Sequence, residues 1–76
     1  MKKEDVIKIL DEHMKDEQCK VFGIYHININ DIWLWFSRYE ITKDDFGTNL
    51  TLYFKPLFDE ETFIAEILLN NIISIR

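Results

Sequence analysis

The chain has 76 residues, enough for one domain, 1–76, with a small core. Apolar residues make up 47% and charged residues 30%, with two Gly and one Pro, a globular composition and not a disordered one. A net charge of -5 argues against binding duplex phosphates directly and suits a protein that meets a basic surface. Cys19 has no intrachain partner, no apolar run approaches a membrane span, and no apolar segment follows the basic start as in a signal peptide. The expected setting is cytoplasmic, with no membrane contact.

Residues 3–17 are predicted to form a helix, because Val6, Ile9, Leu10, His13 and Met14 recur on one helical stripe. Glu4–Lys8 and Asp11–Lys15 are acid-before-base pairs four apart on its polar side, together with Glu12. Such a side is a solvated face or, on the sharper reading, an acidic patch for a basic partner.

Residues 20–28 read as the first strand, and Asn28-Ile29-Asn30-Asp31 as a turn. The stretch 31–41 reads as a second strand that is apolar on both faces, which demands cover on both. A turn centred on Ile29-Asn30 sets Ile27 against Ile32, Tyr25 against Leu34 and His26 against Trp33. A second turn, Thr42–Thr48, leads to a third strand over 49–55, whose clean alternation fixes the inside of the sheet. The expected core face carries Val21, Tyr25, Ile27, Ile32, Leu34, Phe36, Leu50, Leu52 and Phe54. The reverse face carries Lys20, Phe22, Ile24, His26, Trp33, Trp35, Tyr39, Tyr53 and Lys55. A bulge in the second hairpin would exchange the two faces.

Pro56 ends that strand. Asp59 then suits a helix N-cap, Glu60 and Glu61 its first turn, and Phe58 with Phe63 a hydrophobic staple, before a stripe of Ile64, Ile67, Leu68 and Ile72. Asn70-Asn71 either ends this helix, leaving 72–76 as a short edge strand, or lies within it. The expected fold class is α+β in the order α-β-β-β-α, a three-stranded antiparallel sheet with both helices on one face.

No catalytic set is visible, and the chain is expected not to be an enzyme. Cys19, His13 and His26 lack zinc-site spacing, and the clustered acids lack the pattern of a calcium loop, so no metal or cofactor is expected. Lys20 beside Cys19 is a feature that lowers a thiol pKa, although a bystander thiol is the plainer reading. Asp45-Phe46-Gly47 matches a kinase tripeptide by letter alone.

What remains is the reverse face. Trp and Tyr bury large areas at low entropic cost and keep a polar handle, as contact surfaces require. The expected partner-binding residues are Phe22, His26, Trp33, Trp35, Tyr39 and Tyr53, with the acids Asp11, Glu12, Asp44 and Asp45. Small acidic chains in helix–three-strand–helix order resemble phage-encoded inhibitors of nucleic-acid enzymes, including anti-CRISPR and anti-restriction proteins; the likeness is one of architecture. It implies a non-catalytic inhibitor or adaptor whose acids, from the first helix, the Asp44-Asp45 turn and the start of the second helix, occupy a basic groove of a partner protein. An immunity or antitoxin protein, or a homodimer packed through the aromatic face, accounts for the same residues. A single-strand nucleic-acid binder would use the aromatics flanked by Lys20 and Lys55, against the net charge.

Overall fold

The structure, a computed structural model, describes residues 1–57 and 59–76. It is α+β, with two helices, α1 (Lys3–His13) and α2 (Glu17–Phe22), and five strands: β1 (Tyr25–Ile29), β2 (Ile32–Phe36), β3 (Arg38–Asp44), β4 (Gly47–Phe54) and β5 (Thr62–Leu68). The strands form two antiparallel sheets and not one, β1-β2 and β3-β4-β5.

The first helix is shorter than predicted. Its stripe holds, with Val6 and Leu10 fully buried. It ends at His13, and neither Glu4–Lys8 nor Asp11–Lys15 closes an ion pair among the described residues. Asp16 opens a new helix, its carboxylate accepting from the backbone N–H groups of Gln18 and Cys19. Gly23 closes it at φ 67, a left-handed C-terminal cap whose N–H donates to Cys19 and Lys20 carbonyls. Residues 20–22, expected in the first strand, are therefore helical, and Val21 is 69% exposed instead of lying in the core.

The stretch 31–41 is two strands. The chain bends at Ser37, whose N–H donates to the Tyr53 carbonyl at 2.6 Å while its Oγ accepts from the Lys55 N–H at 2.8 Å. The bend reverses the parity. Phe36 is buried before it, and Tyr39 and Ile41 pack against the core after it. Tyr39 stands opposite Leu52 and Ile41 opposite Leu50, so they share the inner face of β3-β4. A run that seemed to need cover on both sides thus supplies two different sheets: β3 puts Tyr39 and Ile41 inward, and β2 puts Phe36 inward and leaves Trp33 and Trp35 outside. Tyr39, placed above on the reverse face, belongs to the inner one.

The second predicted helix is a strand. Thr62–Leu68 pairs antiparallel with β4, with a bulge between Leu52 and Tyr53. The stripe Ile64, Ile67 and Leu68 has helical spacing, but the run is strand-length and rich in β-branched and aromatic residues. β4 decides the matter, because Asn49, Leu50, Thr51 and Leu52 are all buried and its backbone is paired on both edges, by β3 and β5. Asp59 and Glu60 consequently cap no helix. Phe58, expected in the staple, lies outside the described residues, and Phe63 is 56% exposed. The likeness to phage inhibitors rested on the helix–three-strand–helix order and loses that support.

A 3-10 turn, Leu69–Asn71, ends β5. The following segment returns as an edge to β1: Ile75 bridges Ile29, and Arg76 exchanges both backbone hydrogen bonds with Asn28 at 2.9 Å. Of the two expectations for the tail, the helical one fails, and the edge strand over 72–76 is realised only as this single bridge and its hydrogen bonds. The core lies between the inner faces of the two sheets, α1 and this tail: Val6, Leu10, Tyr25, Ile27, Ile29, Phe36, Leu50, Leu52, Leu69, Ile72 and Ile75. Phe54 is half-buried and Ile32 is 62% exposed, so both stand outside the buried core in which they were expected.

Candidate functional site

The outer face of β1-β2 begins with its turn. Asn30 and Asp31 both have positive φ, 52 and 67, the two-residue turn whose twist matches a hairpin. The turn is one residue later than expected, and the register moves by two. His26 stands opposite Trp35, Asn28 opposite Trp33, and Ile27 opposite Leu34. A shift of two preserves the faces, so the tryptophans stay outside. Asn30 also anchors the tail, its Nδ2 donating to the Asn71 carbonyl and its Oδ1 accepting from the N–H groups of Ile73 and Ser74.

Trp33 and Trp35 are 56% and 59% exposed. The His26 ring lies 5.2 Å from Trp33 and 5.4 Å from Trp35, and His13 at the end of α1 reaches it edge-on at 6.1 Å. Beyond Trp35, α2 contributes Phe22, which is 61% exposed. Gln18, Cys19, Phe22, Ile24 and Trp35 line a shallow groove of about 320 Å³. Four of the six aromatic candidates, Phe22, His26, Trp33 and Trp35, therefore form one continuous surface. Asn28 sits beneath Trp33 at 1% exposure, and its Oδ1 has no hydrogen-bond partner among the described residues.

The other candidates lie elsewhere. Tyr39 is half-buried, and its hydroxyl donates to Asp11 Oδ1 at 2.7 Å. Burial, then that hydrogen bond and the carboxylate's charge, push its pKa up to about 12. Tyr53 is on the outer face of β3-β4-β5, with the Arg38 guanidinium 4.0 Å over its ring and Phe63 at 6.4 Å. Arg38 grips both carboxylate oxygens of Glu61 through Nε and NH2, and Glu40 through NH1. The hydrogen bond from Arg38 holds the Glu61 carboxyl below its ordinary range against the opposing effect of burial, and hydrogen bonds to Glu61 and Glu40 hold the guanidinium above its own.

The acids do not converge on the tryptophans. Asp44 and Asp45 are at the tip of β3-β4, where Asp44 accepts from the Phe46 N–H and from Asn49 Nδ2. Glu12 borders a separate groove at the end of α1 with His13, Asp16 and Arg76. Cys19 is not activated by Lys20, whose ammonium is 3.6 Å from Glu17. Partial burial, then the charge and hydrogen bond of Asp16, raise the thiol pKa.

Sequence reasoning missed Ile32, Phe46 and Leu57 as exposed apolar residues. The turn position would have found Ile32, which flanks Asn30-Asp31 directly. No group of three or more His, Cys, Asp or Glu side chains gathers where it could hold a metal ion among the described residues, and no helix there is long and apolar enough to cross a membrane. Comparison with protein-family models, curated proteins and solved structures finds no match. The surface offers aromatic area from Phe22, Trp33 and Trp35 and the imidazole of His26.

Proposed function

We propose that this protein is a non-catalytic binding module, an inhibitor or adaptor, that docks on a partner protein through Phe22, His26, Trp33 and Trp35. One observation carries the reading: two neighbouring tryptophans are more than half exposed in a chain whose core is complete without them. Exposed indoles at one spot are the composition of an interface hot spot, not of an idle surface.

The partner that fits is basic. The face of an indole is the strongest aromatic acceptor for Arg and Lys, and a chain of net charge -5 is steered toward positive potential. Occlusion of a basic, nucleic-acid-binding surface follows as the mode of inhibition. The acids Asp11, Glu12, Asp44 and Asp45 then act as long-range steering charges around the aromatic contact and not as a single phosphate mimic.

The test is capture from the source cell followed by binding measurements with the purified partner. Trp33→Ala and Trp35→Ala should each weaken binding at least tenfold with folding intact, and affinity should fall as salt rises. Equal affinity of wild type and both variants would remove the aromatic face from the interface. Affinity that is flat with salt would remove the basic partner.

A further inference from the structure

We infer that the free edge of β2 is a seam for a second copy of this chain, joined by antiparallel strand addition about a two-fold axis at Leu34. The seam is made of backbone, whereas the surface proposed above is made of side chains. The two readings therefore stand or fall separately.

The hydrogen-bond pattern of the hairpin carries the argument. In an antiparallel pair, opposed residues alternate between exchanging both hydrogen bonds and exchanging none. A two-residue turn makes Ile29 and Ile32 a bonded pair, so Ile27–Leu34 and Tyr25–Phe36 are bonded as well. The backbone groups of Trp33 and Trp35 must then point away from β1. The opposite side of the hairpin agrees: Asn28, the partner of Trp33, sends its N–H and C=O outward to Arg76. Outside the β1-β2 ladder no described residue bonds to the backbone of Trp33 or Trp35, and within the ladder the alternation leaves both unbonded to β1.

The edges differ in how they are protected. The edge of β1 is covered by the tail at Ser74–Arg76. β3 carries Arg38, Glu40, Lys43 and Asp44 along its length. β5 carries Glu66 and a bulge. Charges, bulges and covering segments are the devices that prevent strand addition. Among the described residues β2, Ile32-Trp33-Leu34-Trp35-Phe36, carries no charge and no bulge, and its outer edge is met only past its end, where the Ser37 N–H donates to the Tyr53 carbonyl.

A second copy satisfies this edge in one register. With Leu34 opposite Leu34 of the other copy, Trp33 of each chain faces Trp35 of the other, and every outward N–H and C=O of the two residues is paired. A register centred on either tryptophan leaves half of these groups unpaired. The result is a four-stranded sheet, β1-β2-β2-β1, with the Trp and His side chains of both copies on one continuous face. The contact is short. It belongs at the low end of the roughly 1,200–2,000 Å² that stable interfaces bury, so dimerisation is expected on the order of micromolar concentration.

Sedimentation over a concentration series reads the mass against the 9.2 kDa of one chain. The expected result is a rise to twice that mass, strengthened by added salt, because two chains of charge -5 repel. Binding to a basic partner has the opposite salt dependence. Trp33→Pro removes an outward donor that the folded monomer does not use, whereas Trp33→Ala removes the ring and keeps the donor. Proline should raise the dissociation constant at least tenfold beyond alanine, with circular dichroism confirming that both variants fold. Methylation of the Trp35 amide, in a chain assembled by ligation at Cys19, should do the same with every side chain present. A monomer at all concentrations overturns the seam. So does a dimer that the proline and methyl variants leave intact, since that dimer would be held by the rings or another surface.

Discussion

The Tyr39 hydroxyl donates to Asp11 Oδ1 at 2.7 Å, tying the inner face of β3 to the polar side of α1. A charge-assisted hydrogen bond contributes about 1.5–3 kcal/mol, and exposure of the carboxylate brings this one toward about 1 kcal/mol. Tyr39→Phe should lower stability by about that amount in denaturant unfolding. Because the folded pKa is about 12 against an ordinary 10.0, this stabilisation is complete below pH 10.0 and is lost as pH rises through about 12. Tyr39→Phe should flatten that alkaline loss, and Asp11→Asn should reduce it.

Neighbouring positions on β2 should respond oppositely to truncation. Phe36 is fully buried, and Phe36→Ala should cost about 3–5 kcal/mol. Trp33→Ala and Trp35→Ala remove exposed cross-strand pairs and should cost about 1 kcal/mol or less each. Thermal unfolding of the three variants checks this. A loss at Trp35 equal to that at Phe36 would place the indole in the core.

Gly23 closes α2 at φ 67, with open space where a Cβ would stand. The cost of Gly23→Ala is therefore conformational alone, about 1 kcal/mol, and Gly23→Asn should cost less. Since α2 carries Phe22, both variants should also alter the environment of Trp35, read by fluorescence.

Glu61 titrates below its ordinary range because Arg38 holds its charged form. The stabilisation it confers is present above the unfolded pKa and is lost as pH falls through the depressed folded value. NMR titration of the Glu61 side chain should show a depressed midpoint that returns toward the ordinary 4.5 in Arg38→Gln. Both groups are exposed, so the change in stability should be small.

Much of this fold is legible in the residues. The Val6–Leu10 stripe and the inward Leu50 and Leu52 of β4 follow from periodicity, although Asn49 and Thr51 between them are buried too. Asp16 and Gly23 also announce α2, a cap and a left-handed stop seven residues apart, but Val21 and Phe22 read as the start of a strand. The assignment of Thr62–Leu68 depends on β4 needing a second neighbour, which no local pattern reports. The site was legible in part for the same reason. Trp33 and Trp35 are placed by a hairpin of short range, whereas the position of Tyr39 depends on a parity change at Ser37. Serine there is an ordinary residue in sequence; its role arises from bonds to Tyr53 and Lys55, far along the chain.

The corner at Ser37 has an evolutionary consequence. Because each half of the apolar run faces its own way, residues that fill the interior are interleaved with residues that do not. The outer positions of β2 can change identity while Phe36, Tyr39 and Ile41 stay fixed, so single substitutions there leave the protein above its folding threshold.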